Sequence, residues 1–175
     1  MFADPEKNVR QFYLKEGWRV ADFGAGSGAY AVAAAKRVGE TGSVLAVEVQ
    51  KELVAKVQKY AQEEGVDNVE VLWGDIEELG GSKIADKSVD AVILANVLFQ
   101  VEDKRGLLSE VKRVLVPGGK VFVIDWTESF GGVGPQPDMV ISLQEAKRML
   151  GEAGFASDRE FDAGERHYGF AFTKP

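Results

Sequence analysis

The chain predicts an α/β fold of the doubly wound kind, a mostly parallel sheet covered by helices on both faces. Three observations lead there. Strand-length apolar runs alternate with helix-length segments from Arg19 to Gly154. The run Val20–Phe23 passes through glycines at 24, 26 and 28 directly into an Ala-rich helical segment. The third is Val89–Ala95, an apolar stretch of the sort that marks a strand buried on both faces.

Each element has its own local reason. Asp4-Pro5 reads as an N-cap followed by proline at the first helical position, with Gly17 closing that helix. The first strand covers about 19–23, and after the glycine turn a helix runs from 28 to 38. Gly39 and Gly42 break the chain before a second strand, 43–49. A helix over 51–64 ends at Gly65, and the third strand is 69–73. The fourth strand, 89–95, leads to a helix capped by Asp103 and reaching Leu115. Pro117-Gly118-Gly119 then turns the chain into a fifth strand, 120–126. Ser142-Leu143-Gln144-Glu145 is a capping box that opens a helix stopping at Gly154. Two short strands follow, about 155–161 and 167–173. Too few residues join them for a crossover helix, so they pair antiparallel or not at all. The Gly- and Pro-rich segment 130–138 is either a loop near a ligand or a plain connector.

Composition bounds the reading. The 175 residues suit one domain, 1–175, divided into an N-terminal helix (1–16), a central core (17–130) and a C-terminal loop, helix and strand pair (131–175). With 45% hydrophobic and 28% charged residues the chain is globular. A net charge of −7, with basic residues scattered among acids, makes a nucleic-acid partner an unfavourable expectation. No apolar run approaches the roughly 20 residues that span a bilayer, so no membrane insertion is expected. Met1–Arg10 is charged and lacks a signal-peptide core. Zero cysteines excludes disulfides, thiolate metal sites and cysteine nucleophiles, and makes the cytoplasm the default compartment. No metal site is expected.

The glycine turn carries the chemistry. Glycine adopts positive φ without strain and lets backbone approach a ligand, while the following helix aims free N–H groups at the same place. With the acid two residues upstream, Asp22-x-Gly24-x-Gly26-x-Gly28 resembles the first motif of class I S-adenosylmethionine-dependent methyltransferases. The resemblance implies that Asp22 helps to hold the methionine ammonium and that Gly24, Ala25 and Gly26 wrap the cofactor. A carboxylate in this turn is tolerable because that cofactor has no phosphate. Gly24-x-Gly26-x-x-Ala29 also satisfies a relaxed dinucleotide fingerprint, but Asp22 has no role in it. Glu48 ends the second strand about 20 residues past the turn, where such folds place an acid on the ribose hydroxyls. Its two oxygens can accept from both hydroxyls, with Val49 beside it; a surface acid at a strand end is the alternative.

Further landmarks follow in order. Trp73-Gly74-Asp75-Ile76 resembles the place where the family bonds the adenine amine through an Asp and packs the next apolar residue on the ring. Asp75 would equally suit a helix cap before Ile76-Glu77-Glu78-Leu79. Asp90–Phe99 matches the fourth motif in position, which implies that Asn96 presents an oxygen towards the methionine portion and the incoming nucleophile. The stretch Leu108-x-Glu110-Val111-x-Arg113-Val114-Leu115-x-Pro117-Gly118-Gly119 resembles the helix and turn before the family's fifth strand. The resemblance is to the small, type 11-like members, near the quinone C-methyltransferases. It implies a Rossmann-like seven-stranded sheet of order 3-2-1-4-5-7-6 with strand 7 antiparallel, and transfer of a methyl group to a small-molecule acceptor. A protein side chain is the second acceptor class, and a non-catalytic cofactor-binding scaffold is the competing function; oligomeric state stays open.

Such a transfer is an in-line displacement that needs positioning, exclusion of water and, for a protonated nucleophile, a base. His167 is the only histidine and begins the last strand, at the edge where ligands bind. It is the candidate base, with Asn96 the second catalytic candidate, although a hydrogen-bonded turn histidine would look the same. Phe99, Trp126 and Tyr168 reach the same edge as candidates for the acceptor pocket, and packing alone also accounts for them. The fourth motif reads Asn96-Val97-Leu98-Phe99, without the paired prolines that clamp planar amines. Having no cysteine excludes thiol-based arsenic methylation and cysteine-dependent cytosine methylation.

Overall fold

The computed structural model describes residues 3–175. In chain order the elements are α1 (Pro5–Arg10), β1 (Arg19–Phe23), α2 (Ala29–Val38), β2 (Ser43–Glu48), α3 (Lys51–Glu63), β3 (Val69–Trp73) and β4 (Val89–Ala95). Then come α4 (Lys104–Val114), β5 (Leu115–Trp126), a 3₁₀ turn (Pro137–Met139), α5 (Leu143–Glu152), β6 (Ala156–Phe161) and β7 (His167–Thr173). The strands form one seven-stranded sheet of order β3-β2-β1-β4-β5-β7-β6. β7 runs antiparallel to both β5 and β6, and the other neighbours are parallel. This is the methyltransferase-type topology that the resemblance implied.

Alternation along each strand sorts side chains between two cores. One face buries Phe23, Leu94, Val123 and Phe170 against Leu107 and Val111 of α4 and Leu150 of α5. The other buries Val20, Ile93, Phe122 and Ile124 against Val9 of α1, the alanines of α2 and Val57 of α3. On this second face Phe12 stacks on Phe122, with centroids 4.2 Å apart. The chain order turns back between β1 and β4, which lie side by side, and their carboxyl ends open a crevice there.

Two elements differ from their sequence reading. The first helix stops at Arg10, because Tyr13 takes a positive φ of 53° and the chain turns, well before Gly17; Met1 and Phe2 lie outside the described residues. The fifth strand starts at Leu115, five residues early, so that Pro117-Gly118-Gly119 lies inside it as an irregularity. The cause is the C-terminus: Gly118 donates to the carbonyl of Lys174 at 2.7 Å, and Lys174 returns a bond to Gly119 at 2.9 Å. Among the described residues no helix is long and apolar enough to cross a membrane.

Glu110 of α4 pins the loop between β3 and β4. Its side chain is fully buried and accepts from the Gly80 N–H at 2.7 Å, the Ser82 N–H at 3.2 Å and the Ser82 hydroxyl at 2.5 Å. Arg113 one turn on donates to both of its oxygens and also to Asp86. Burial alone would raise the Glu110 carboxyl, but the bonds from Arg113, Ser82 and Gly80 outweigh it and hold the group at about 2. A folded pKa below the unfolded one means that this stabilisation is present above about pH 4.5 and disappears as pH falls through about 2. Glu110→Ala should cost about 3 kcal/mol in chemical denaturation at pH 7, the low end for breaking a buried pair, because Arg113 keeps Asp86. The difference from the parent chain should narrow as the titration is taken down towards pH 2.

Candidate active site

At the carboxyl end of β1 the chain must turn sharply and start α2 with its backbone against two neighbours. Gly24, Gly26 and Gly28 all have positive φ, at 74°, 57° and 86°. A Cβ on Gly24 would stand 3.0 Å from Val97, and one on Gly28 would stand 2.9 Å from Val57. Conformation and space both demand glycine there. The turn is held to β2 by the carbonyl of Val47, which accepts from Gly24 at 2.9 Å and Ala25 at 3.0 Å.

Glu48 completes the hold. Its Oε2 accepts from the Gly26 N–H at 3.0 Å, and its Oε1 accepts from Val49 and Gln50, both at 3.0 Å. Of about four lone-pair sites three are used, which leaves one, on Oε2. The carboxylate expected to accept from two hydroxyls already holds three backbone N–H groups and has one acceptor site open. The carboxylate is buried by the backbone that it organises, at 5% exposure.

The turn and Glu48 form one wall of a cavity of about 270 Å³. Gly74, Asp75, Ile76 and Glu77 form the second wall, Val49, Gln50 and Leu53 the third, and Val97, Gln100 and Val101 the fourth. The volume is a little under the 300–1,000 Å³ usual for small-ligand sites. Asp75 does not cap a helix: its Oδ1 accepts from the Glu77 N–H at 2.9 Å in a tight turn, because Gly81 folds back to take the Asp75 N–H at 3.0 Å. Its Oδ2 keeps its acceptor capacity. Of the residues singled out in the sequence, Gly24, Gly26, Glu48, Val49, Asp75 and Ile76 line this cavity, and Ala25 supports it through Val47. Leu53, Gln100 and Val101 line it too, and ordinary helix or loop positions of this kind give no sequence signal. A larger cleft of about 510 Å³ lies between α4 and α5, lined by Lys104, Leu108, Arg148 and Met149 and by none of the candidate site residues named from the sequence.

Asp22 lies below the turn, on the α2 face of β1. It is 2% exposed, and its Oδ2 has no hydrogen-bond partner. Burial pushes its carboxyl up to about 7, against the Ala31 N–H, with the nearby charge of Glu48 adding to the rise. Close by is a cluster that the sequence did not disclose: fully buried Asn8 of α1 donates to the Tyr30 hydroxyl at 3.0 Å and to the Ala163 carbonyl at 3.2 Å. A lone Asn in a short polar helix looks like a surface residue.

Beside the cavity, Asn96 ends β4 with a φ of 58°, a left-handed conformation that Asn tolerates. Its N–H donates to the Ile124 carbonyl at 2.8 Å, and its carbonyl accepts from Gln100 Nε2 at 2.7 Å. His167 comes to it from β7, with Nε2 3.1 Å from Asn96 Oδ1 and Nδ1 3.0 Å from the Glu165 carbonyl. The ring is 8% exposed and lies 4.3 Å from the Trp126 ring. Burial lowers its pKa, against the Glu165 carbonyl.

Tyr168 is elsewhere. Trp126 pairs with His167 and Asp125 with Tyr168, so alternation sends Tyr168 to the opposite face, where it packs with Phe170. Its hydroxyl is buried without a partner, and its pKa rises through burial and the charge of Asp125. The expectation that Tyr168 lines one pocket with His167 is thus corrected. Phe99 is half-buried on the turn after β4.

The segment 130–138 folds over this edge. A Cβ on Gly134 would meet the Trp126 indole at 2.8 Å, so the loop lies directly on the ring. Arg166 fastens it: the guanidinium stands 3.4 Å from the Phe130 centroid and bonds Glu128 at 2.7 Å, and the Arg166 carbonyl accepts from Thr127.

Comparison with known proteins fits this geometry. A family model described as a methyltransferase domain matches residues 14–154. The chain is 32% identical over 152 residues to an arsenite methyltransferase of Halobacterium salinarum, covering 81% of this chain and 38% of that protein. It is 30% identical over 128 residues to a demethylmenaquinone methyltransferase of Bacillus velezensis, covering 72% and 54%. It therefore spans between about a third and about half of these curated relatives. The crystal structure of a SAM-dependent methyltransferase from Aquifex aeolicus superposes with a TM-score of 0.89 at 33% identity, over 99% of this chain and 91% of that one. Identity at that level over nearly the whole of both chains, on the same fold and crevice, makes this protein a member of the S-adenosylmethionine-dependent methyltransferase family.

Proposed function

We propose that this chain transfers a methyl group from S-adenosylmethionine to a small organic acceptor. The observation that carries the reading is one crevice, at the β1/β4 reversal, walled by the glycine turn, Glu48 and Asp75 and bordered by Asn96. The residues present suit the cofactor. Asp22 Oδ2 is a buried oxygen without a partner, Gly24 and Gly26 line the cavity with bare backbone, and the cavity is of nucleoside size.

In this reading the open acceptor site on Glu48 takes one ribose hydroxyl, and Asp75 Oδ2 takes the adenine amine. Ile76, Leu53 and Val97 pack on the base. Asp22 and the α2 N-terminus face the methionine end, a carboxylate for the ammonium and free N–H groups for the carboxylate. When bound, the cofactor supplies an electrophilic methyl group on a sulfonium. The chain's part is to orient the acceptor and exclude water, through Asn96, Phe99, Trp126 and the loop 130–138. Those aromatics favour an organic acceptor with apolar surface. Relatives named for arsenite do not extend to this chain, because it has no thiolate for a soft arsenic centre. A protein side chain is the second acceptor class, and nucleic acid is disfavoured by the net charge of −7. We place the protein in the cytoplasm on its cysteine-free composition, and read 1–175 as one domain whose α1 and loop 130–138 are its covers.

A library of small organic acceptors incubated with a labelled methyl donor should yield labelled product. Binding of S-adenosylhomocysteine without turnover on any acceptor would instead favour a scaffold.

Asp22 links binding to pH. Its folded pKa near 7 leaves it largely protonated below neutrality, and an ammonium beside Oδ2 favours the charged form and expels the proton. Calorimetric affinity for S-adenosylhomocysteine should therefore rise by up to about tenfold per pH unit below pH 7 and level off above it. Asp22→Asn should flatten that rise.

Replacing Glu48 with Ala removes a charged acceptor from three backbone N–H groups as well as from the ribose. Stability should fall by about 1.5–3 kcal/mol, the worth of one such bond, because water reaches the others. Calorimetry should show weaker binding of S-adenosylhomocysteine, and unchanged affinity would remove Glu48 from the nucleoside site.

A further inference from the structure

The ring of His167 faces an oxygen at each nitrogen. Nδ1 lies 3.0 Å from the carbonyl oxygen of Glu165, and Nε2 lies 3.1 Å from Oδ1 of Asn96. Both oxygens only accept, whereas a neutral imidazole has a single N–H. One nitrogen would then point a lone pair at an oxygen. Two arrangements relieve this. The ring takes a second proton and donates from both nitrogens, or the Asn96 amide turns over, exchanging Oδ1 for Nδ2.

Charge is the poorer solution. The ring is 8% exposed, and neither nitrogen is bonded to a carboxylate. Burial lowers the pKa despite the Glu165 carbonyl. The Trp126 face at 4.3 Å is the contact that favours a cation, but it also shuts out the water that would solvate one. Turning the amide costs nothing in shape. The Asn96 backbone is already pinned at both ends, to Ile124 and Gln100, so the amide is the part of the residue still free to rotate.

We propose that His167 is a positioning residue: neutral and protonated on Nδ1, it accepts from Nδ2 of Asn96 and so turns Oδ1 of Asn96 towards the cleft. Its Nε2 lone pair is then occupied, and His167 is not the base expected from the sequence. The exposed amide oxygen is an acceptor fixed beside Val97 and the cavity. An acceptor molecule is held there through an O–H or N–H of its own, which names the substrate class: organic molecules whose nucleophilic atom, or its neighbour, carries a hydrogen. That use of the oxygen rests on the methyl-transfer reading above; the state of the ring does not.

As the chain has one histidine, a long-range proton–nitrogen correlation on ¹⁵N-labelled protein reports this ring alone. At pH 7, without cofactor, the expected pattern is the neutral ring with its proton on Nδ1. A proton on Nε2, or a doubly protonated ring, overturns the proposal whatever the protein catalyses. Two variants then separate positioning from base catalysis. His167→Gln keeps an oxygen able to accept from Asn96 but cannot take up a proton, and His167→Phe keeps the ring without the acceptor. On any acceptor found by the labelled-donor screen, His167→Gln should stay within about tenfold of the parent kcat and His167→Phe should lose about 10²-fold, with S-adenosylhomocysteine affinity unchanged in both. If His167→Gln falls as far as His167→Phe, His167 is a base and the proposal fails. Loss of S-adenosylhomocysteine binding by the parent chain would instead sink the methyl-transfer reading and leave the ring assignment standing.

Discussion

The carboxylate of Glu48 is the joint on which this crevice depends. It sits at the end of β2, yet it bonds the Gly26 N–H of the neighbouring β1–α2 turn and the first two N–H groups beyond its own strand. Without it these three donors would lose a charged acceptor and fall back on water from the cavity that they line. By collecting them on one charged group, the fold fixes the turn relative to β2 and leaves one lone pair facing the cavity. Binding capacity at this site is what remains after the backbone has been satisfied.

The same economy governs the acids at the other strand ends. Asp22 and Asp125 lie on opposite faces of the sheet, both buried and both with an oxygen left without a partner. Asp125 collects the N–H groups of Trp126, Phe99 and Leu98, which braces the turn that carries Asn96. Burial still dominates and pushes its carboxyl up to about 6. Asp22 has fewer donors, chiefly the Ala31 N–H, and rises further, to about 7. The difference has two sources: Asp125 accepts from more backbone N–H groups, and the charge near it is that of Lys104, whereas Asp22 has the charge of Glu48 nearby.

Around these acids the covers are held by single residues from distant segments. Arg166 reaches across from the β6–β7 connection to Glu128 and Phe130, and Glu110 reaches from α4 to Gly80 and Ser82. Each side of the crevice is thus tied to a different helix or strand pair, and neither tie lies in the cavity. The two ties differ in strength. The Glu110–Arg113 network is buried and multiply bonded, whereas the Arg166–Glu128 pair is partly solvated and accordingly weaker.

Much of this was legible in the sequence. The strand and helix alternation, the glycine turn and its acid, and the final strand pair follow from period, breakers and local backbone need, all of which act over a few residues. Glu48, Asp75 and Asn96 were legible because each is at a strand end, a place that a parallel sheet always sends to one edge. What only the tertiary structure decided are relations between segments: Gln100 and Leu53 in the cavity wall, Asn8 buried against Tyr30, the extension of β5 by Lys174, and which face of the sheet His167 and Tyr168 each take. That last case shows the limit most plainly. Alternation alone puts adjacent strand residues on opposite faces, so one shared pocket was already against the pattern, but that His167 and not Tyr168 takes the face of Trp126 and Asn96 is chosen by the register with β5.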